Sequence, residues 1–480
     1  MNLRKAFLLA GYIFALGLTG VYLVSCKNHS MKGMLIFTRI PVDRFNPDGD
    51  GLSHDFPGSG LMAVKPGEAG GPEINLTPGF YSACSPQISY DATHLLFAGQ
   101  KNEQDPWQVW EMDLKHKTSK QITDFKESCF GPAYLPGGRL VFSREMPDTG
   151  TGTTHTLFTM NLDGSNLQQI TFHPDDDYVS TILRDGRILM LSKQIFPEQG
   201  EIKYLAMRPN GTKAQLFYQG EKGTVPGFRV YETADEHIYF IERKTGKNKK
   251  RDIISIRYNR PLHSRVNYTA EISGNFYTVL PLPSGDMFVS YRPSDNQAIA
   301  LYHFSGEKKS IGERLFGDSK YHILDPVLVE PYNRPRKLPD ELNLTYPTGL
   351  IVCQNVNITS LPDTASSSTA KTTKIEVLGL DKSLGIVPVE DDGSFYLKVT
   401  ADLPFRIRAL DDHDRVLYGP SDWIWVRPFE RRGCVGCHED PELVPENVVP
   451  LAIKTWPVLI PVDTTQSLKN VQTFKVSDMK

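Results

Sequence analysis

Apolar and polar positions alternate in short runs over the first two thirds of the chain, and the pattern repeats. From Cys84, Cys129 and Asp177, the chain gives an apolar run, a polar turn, two further runs and a short fourth run. Four short strands at a period of about 45 residues are typical of one blade of a β-propeller. Weaker copies begin at Gly227 and Phe276, so the pattern predicts five complete blades.

A sixth blade is split between the two ends of the repeat region. The run from Asp325 has the pattern of a first strand, but no partner strands follow it. The missing strands are predicted near the N-terminus, from Met34, Leu61 and Glu73, so the N-terminal strands should close the ring. The repeats resemble those of TolB-like propellers over residues 34–335. An array of β-sandwiches is the alternative that the pattern leaves open.

The remaining chain has a different strand pattern. A proline-rich, charged linker at 334–341 leads into the stretch from Leu344 to Pro428, which alternates like a small antiparallel β-sandwich. The stretch DDGSFYLKV resembles the hairpins of Ig-like and carboxypeptidase-regulatory-like modules. We therefore predict a mainly β fold with a leader over residues 1–25, a six-bladed TolB-like β-propeller over 26–335, a β-sandwich module over 336–430 and an irregular C-terminal segment over 431–480.

Composition and charge exclude several classes of protein. The chain has 53 Lys and Arg against 56 Asp and Glu, a net charge of −3. This argues against a nucleic-acid partner, because phosphate contacts need a basic surplus. Six cysteines in 480 residues are too few for a disulfide scaffold. The sequence has no G-x-S-x-G, H-E-x-x-H or phosphate-binding glycine motif, so hydrolase and nucleotide-binding functions lack support.

The N-terminus has the organisation of an export leader. Basic residues precede an apolar run from Ala6 to Val24, which is also long enough for an uncleaved membrane anchor. The run ends in LVSC, which resembles the lipobox of bacterial lipoproteins, so we expect cleavage before Cys26, lipidation of its thiol and a membrane partner. By resemblance to known sorting rules, Lys27 favours the outer membrane with the body facing the periplasm.

The motif with the most specific chemistry is C-V-G-C-H at 434–438. C-x-x-C-H is the attachment motif of c-type haem, in which two thiols bond to the porphyrin vinyl groups and the adjacent imidazole ligates the iron. The motif predicts one covalent haem c on Cys434 and Cys437, with His438 as the axial, metal-ligating residue. A C-x-x-C disulfide or redox pair, and a zinc or empty remnant site, are the alternatives.

The second axial ligand does not follow from the motif. His438 is the last of 12 histidines, so the candidates are His413 in the module, Met479 in the tail, or a five-coordinate iron. An iron whose sixth coordination position is open permits ligand binding or catalysis, whereas an iron with a second axial ligand suits electron transfer. The sequence therefore leaves enzyme activity undecided. Cys353 begins the module and faces either its core or the haem edge.

Two thiols and a carboxylate lie at similar places in neighbouring repeats. Each lies 13 residues before an apolar residue of the second strand: Cys84 before Phe97, Cys129 before Phe142, and Asp177 before Met190. These positions begin the innermost strands, so we expect them at one mouth of the channel, with Asp325 heading the split blade. A disulfide between the two thiols, a soft metal site with Asp177, and an unconnected polar lining are the alternatives.

The leader, propeller, β-rich module and RGCxGCHE-type motif together resemble the hydrazine synthase alpha subunit and its relatives, over residues 34–460. In that family the middle domain carries a c-type haem, which implies this role for Cys434, Cys437 and His438. The family also has a Tyr as axial ligand four residues after the motif His, where this chain has Glu442, and a further haem domain that this sequence does not include.

The resemblance therefore implies a haem-bearing envelope lipoprotein rather than a hydrazine synthase. Such a protein transfers electrons or binds a small ligand at the iron, with a redox or envelope protein as its partner. The alternative is a propeller-based binding or assembly lipoprotein with a structural or vestigial CxxCH motif.

Overall fold

The computed structural model describes residues 30–47, 56–67, 72–147, 153–194, 201–246, 249–358, 371–436, 440, 442 and 448–461. Cys26 and the predicted leader over residues 1–25 lie outside these residues. Within them, the secondary structure is almost entirely β. The described part of the chain contains no helix with the length and apolar character needed to cross a membrane.

Six four-stranded antiparallel sheets form the propeller. The first three strands are β1 (Leu35–Pro41), β2 (Gly60–Val64) and β3 (Ile74–Asn75). Blade 1 contains β4 (Ser82–Ile88), β5 (His94–Gln100), β6 (Gln108–Asp113) and β7 (Thr118–Gln121). Blade 2 contains β8 (Cys129–Leu135), β9 (Arg139–Pro147), β10 (Thr153–Asn161) and β11 (Gln168–Gln169). Blade 3 contains β12 (Asp177–Ile182), β13 (Ile188–Gln194), β14 (Glu201–Met207) and β15 (Gln215–Tyr218).

The second half of the ring continues the same order. Blade 4 contains β16 (Thr224–Glu232), β17 (His237–Lys244), β18 (Arg251–Arg257) and β19 (Val266–Asn267). Blade 5 contains β20 (Asn275–Pro281), β21 (Met287–Arg292), β22 (Ala300–Ser305) and β23 (Ser310–Phe316). Blade 6 combines β24 (Tyr321–Leu328) with β1, β2 and β3.

Blade 6 joins the two ends of the propeller. Strand β24 pairs antiparallel with β1, with Leu35 opposite Leu328 and Ile40 opposite His322. Blade 6 contacts the inner strands of blade 1 and blade 5, so no sheet edge is left open between the first and last units. The predicted fold class, mainly β with a six-bladed propeller, is confirmed.

A bulge fixes the alignment of three innermost strands. In β4, β8 and β24 a residue in the left-handed region precedes a proline: Ser85 (φ 57°), Gly131 (φ 55°) and Asp325 (φ 52°). At each bulge two residues oppose one residue of the neighbouring strand, which is a fully buried phenylalanine: Phe97, Phe142 and Phe37 respectively. The repeated bulge therefore shows which residues are equivalent between blades.

The C-terminal module consists of two four-stranded sheets. Its strands are β25 (Thr348–Cys353), β26 (Lys374–Leu378), β27 (Ser383–Pro388), β28 (Phe395–Thr400), β29 (Arg406–Leu410), β30 (Val416–Tyr418), β31 (Arg431–Cys434) and β32 (Val458–Ile460), with a 3-10 turn at Leu451–Lys454. The sheet β31-β25-β28-β32, here called the motif sheet, packs against β27-β26-β29-β30. Alternate residues of each sheet, such as Ile351 and Val377, share one core, as expected of a sandwich.

Trp425 fastens the module to the propeller. Its side chain is 1% exposed and belongs to a core formed by residues of blades 2 and 3. The indole Nε1 donates to the carbonyl oxygen of Gly211 at 3.1 Å. Arg427 Nε donates to the carbonyl of Asn210 at 3.0 Å, and Lys203 pairs with Asp422 at 2.9 Å. These contacts set the position of the motif sheet against the ring.

Candidate functional site

The CxxCH motif begins on the outer strand of the motif sheet. Strand β31 runs parallel to β25, and the last pair in register is Cys434 opposite Cys353. The backbone pairing continues beyond the strands, because Gln354 N donates to Cys434 O at 2.9 Å and Asn355 N donates to Val435 O at 3.0 Å. Cys434 is partly buried and packs against the module core. The first residue of the motif is thus held by the sheet ladder.

A glycine keeps the next part of the motif close to the module. A Cβ at Gly436 would lie 2.2 Å from the carbonyl oxygen of Ile358, so no other residue fits without moving that backbone. Cys437 and His438 lie outside the described residues, as does Met479. The roles of Cys437 as haem thioether and of His438 as iron ligand therefore stay predictions, as does Met479 as a candidate second axial ligand.

A loop of blade 4 holds the residues that follow the motif. Leu262, between β18 and β19, donates its N–H to Glu442 Oε1 at 2.5 Å. Its neighbour His263 pairs through Nε2 with the Asp440 carboxylate. Burial raises the pKa of Asp440, but the N–H of Glu442 and the side chain of His263 outweigh it and hold that pKa below its usual value. The motif is therefore flanked by the β25–β31 ladder before it and by a propeller loop after it.

Glu442 carries an unusual buried oxygen. Its side chain is only 10% exposed, and Oε2 is buried without a hydrogen-bond partner among the described residues. Arg260 Nε lies 3.7 Å from Oε2, which is beyond hydrogen-bond distance. A buried carboxylate oxygen that lacks a hydrogen bond is costly, and the Arg260 guanidinium is the charge that faces it among the described residues.

A second set of contacts attaches β31 and the residue before it to blade 3. Glu430 Oε1 accepts from the N–H of Lys213 at 2.8 Å, and Oε2 accepts from the N–H of Arg427 at 2.8 Å. Arg432 donates to the carbonyl oxygen of Ala214. Burial raises the pKa of Glu430, although the hydrogen bonds favour its charged form. The strand that leads into the motif is consequently fixed to blade 3.

The predicted equivalence of Cys84 and Cys129 is wrong. Ser85 lies 12 residues before Phe97, whereas Gly131 lies 11 before Phe142, because the first hairpin of blade 1 is one residue longer. Cys84, which precedes its bulge residue, therefore corresponds to Phe130 and not to Cys129. Neighbouring positions of a strand point to opposite faces, and the two thiols pack in different cores.

Cys129 is a free thiol, so the Cys84–Cys129 disulfide is absent from the structure. Burial raises the pKa of the Cys129 thiol to about 12, so without a metal the thiol is protonated at neutral pH. No group of three or more Cys, His, Asp or Glu in the described ranges is arranged to hold a metal ion.

Asp177 is engaged in a buried network instead. Its carboxylate accepts a hydrogen bond from Ser192 Oγ at 2.6 Å and pairs with His173 Nε2 at 2.8 Å. Burial lowers the pKa of His173, but Asp177 outweighs it and the net pKa is raised. The side chains of His173 and Asp177 are 0% and 1% exposed, so this network lies inside the protein, and a metal site at Asp177 stays a prediction.

The remaining candidates lie elsewhere. Asp325 occupies the middle of β24, not its start, and its carboxylate lies 3.5 Å from Arg229 Nε inside the ring. Burial raises the pKa of Asp325 in spite of Arg229. His413 is on an exposed turn with Asp412, 3.6 Å away.

Sequence reasoning missed His263, because only the fold brings this loop to the end of the motif.

Comparisons with known proteins agree with this architecture. Residues 353–439 match the family model "hydrazine synthase alpha subunit middle domain", which spans β25 through the motif. The curated hydrazine synthase subunit alpha of Kuenenia stuttgartiensis is 19% identical and is matched over 76% of this chain. The chain spans only 60% of the length of that relative.

One solved structure has the same fold over most of this chain. Kuenenia stuttgartiensis hydrazine synthase superposes with a TM-score of 0.77 at 17% identity, covering 88% of this chain and 72% of that chain. TolB from Acinetobacter baumannii gives a TM-score of 0.44 at 15% identity over 61% of this chain and 66% of its own. In its middle-domain match, its curated relative and its fold, the chain is therefore similar to the hydrazine synthase alpha subunit.

Proposed function

We propose that this chain is a cell-envelope lipoprotein that binds one covalent c-type haem between its module and its propeller. Cys434 and Cys437 would hold the porphyrin through thioether bonds, and His438 would ligate the iron. The observation that carries the proposal is the fixing of the motif on both flanks, by β25 on one side and by the loop at Leu262 and His263 on the other.

The residues around the motif fit such a group. Cys434 is on an outer strand and is partly exposed, so its thiol is within reach of a cofactor. Among the described residues, the buried Glu442 Oε2 accepts no hydrogen bond and faces only the Arg260 guanidinium at 3.7 Å, which is consistent with a further polar group at this place. The strand pairing before the motif reduces the ordering that a bound group must impose on the chain.

The chain itself would position and insulate the cofactor. The haem would supply an iron that changes oxidation state or binds a small ligand. The β25–β31 ladder would hold one thiol in place, and the pairing of His263 with Asp440 would hold the end of the motif against blade 4. Production of hydrazine is not part of this proposal, because Glu442 replaces the tyrosine that the resemblance implies.

The anchoring and location belong to the same proposal. Lipid on Cys26 would attach the protein to the outer membrane, with the propeller and module in the periplasm, where a redox or envelope protein would be its partner. Incorporation of labelled fatty acid into the wild type but not into Cys26→Ala tests the anchor. An intact Met1 on the mature protein would contradict it.

The haem is tested by producing the full chain together with a c-type maturation system. We expect haem that stays bound after denaturation, and complete loss of it in the Cys434→Ala, Cys437→Ala double variant. Cys129→Ala is the matched control, because it removes a thiol from the propeller core and should keep the haem. Carbon monoxide added to the reduced protein then distinguishes an open iron, whose spectrum changes, from a filled one.

A colourless wild-type protein under these conditions would refute the haem function. The structural or vestigial motif would then be the better interpretation, with the propeller as a binding or assembly surface.

A further inference from the structure

Cys353 and Cys434 are neighbours in space although 81 positions separate them. They form the last pair in register between two parallel strands, whose spacing of about 4.8 Å falls within the Cα separation that a disulfide needs. Both contact the same module core, so their side chains lie on the same face of the motif sheet. Cys353 Sγ lies 4.0 Å from the carbonyl oxygen of Val435, beside the backbone that carries Cys434.

The surrounding backbone prevents the two residues from separating. Hydrogen bonds from Gln354 N to Cys434 O and from Asn355 N to Val435 O continue the ladder past the pair. The buried core on one side and Ile358 against Gly436 on the other restrict the segment further. Each sulfur therefore meets the other at a high effective concentration.

We propose that Cys353 and Cys434 form a reversible disulfide in the haem-free chain, and that this bond withholds Cys434 from the haem vinyl group until it is reduced. The disulfide rests on the geometry alone, whereas its effect on haem loading rests on the proposed function. Cys353 thereby acts as a protecting residue for the motif.

Thiol–disulfide exchange with a small external disulfide, such as oxidised glutathione, supplies the chemistry. The partly exposed Cys434 attacks first, forms a mixed disulfide and releases one reagent thiol. Cys353, 1% exposed, then attacks the Cys434 sulfur and releases the second reagent thiol. Two electrons pass from the protein to the reagent, and the two thiol protons of the protein end on the two reagent thiols.

The bond is tested on the full chain purified without haem. After incubation with oxidised glutathione and alkylation, peptide mapping without reductant should give a linked peptide containing Cys353 and Cys434. Cys129→Ala should keep this linkage, whereas Cys353→Ala and Cys353→Ser should each leave Cys434 fully alkylated. Full alkylation of Cys434 in the wild type, or its linkage to Cys437, would overturn the proposal.

Haem loading tests the protective effect separately. In a maturation system without added reductant, Cys353→Ala should take up at least about threefold more haem than the wild type, and added reductant should abolish the difference. Equal loading without reductant would overturn the protective role. If neither chain takes up haem even with reductant, the haem function itself fails, while the peptide map still decides whether the disulfide forms.

Discussion

Two pairs of cysteines show how differently the propeller and the motif sheet use the same side chain. Cys84 and Cys129 stand at equal counts in consecutive repeats, but a hairpin longer by one residue places them in separate cores. Cys353 and Cys434 have no such relation in sequence, yet the ladder pairs them. Equal spacing in a repeat therefore shows which strands correspond, and only the strand register shows which side chains meet.

The largest loss of stability is expected from a variant that tests whether the C-terminal module and the propeller unfold as one unit. Trp425→Ala should lower the free energy of unfolding by about 4–5 kcal/mol, because it empties a buried site and removes the hydrogen bond to Gly211. Urea unfolding followed by circular dichroism should then show two transitions, with the module unfolding first. Trp456→Ala, at a side chain 68% exposed, should change the unfolding free energy by no more than about 0.5 kcal/mol. Equal effects of the two variants would contradict the assigned role of Trp425.

A second test asks whether Asp177 is structural. Asp177→Ala should cost about 3–4 kcal/mol, because it leaves His173 buried without its ion-pair partner and Ser192 without its acceptor. The measurement is the midpoint of urea unfolding at neutral pH, with the exposed Asp381→Ala as the control. Unchanged stability together with loss of a bound metal would revive the metal-site prediction.

The third test uses pH to distinguish a buried from an exposed histidine. Burial, with the charge of Arg292, lowers the pKa of His322 to about 4, and its Nδ1 accepts from Ile299 N at 3.0 Å. A folded pKa below the unfolded value means that the stabilisation is present above pH 6.5 and is lost as the pH falls towards 4. The loss should approach about 3 kcal/mol.

His322→Asn keeps an acceptor that does not protonate, so it should flatten the unfolding free energy between pH 6.5 and 4. The exposed His413→Ala should leave the pH profile as it is in the wild type. A wild-type slope that survives in His322→Asn would assign the effect to other groups.

The smallest effect is expected at the propeller loop that holds the motif. His263→Ala removes a half-exposed pair with Asp440, so it should lower the unfolding free energy by less than about 1 kcal/mol. Hydrogen exchange should nevertheless increase at Asp440 and Glu442, because the loss of His263 leaves this segment attached to the blade 4 loop only through Leu262 and Arg260 among the described residues. Exchange that increases throughout blade 4 would show that His263 supports the blade rather than the motif.

The sequence was informative where the pattern is local and repeated. Short apolar runs and polar turns that repeat about every 45 residues predicted the blades. The apolar run at Asp325, which has no partner strands after it, predicted the pairing of β24 with β1. The place of Asp325 within its strand could not be predicted in this way, because the bulge at Asp325-Pro326 depends on backbone conformation. The adjacency of Cys353 and Cys434, and that of His263 and Asp440, depends on strand order and module docking, which leave no periodic signal.

The split blade also dictates when the ring can be completed. Leu35 pairs with Leu328, a residue made 293 positions later (328 − 35), so at 5–20 residues per second the wait is on the order of 15 to 60 s. Throughout that time one side of β1 exposes unpaired backbone groups, which other chains can pair with. Ring closure therefore has to wait for the last propeller strand, and among the described residues it makes the contacts of greatest sequence separation.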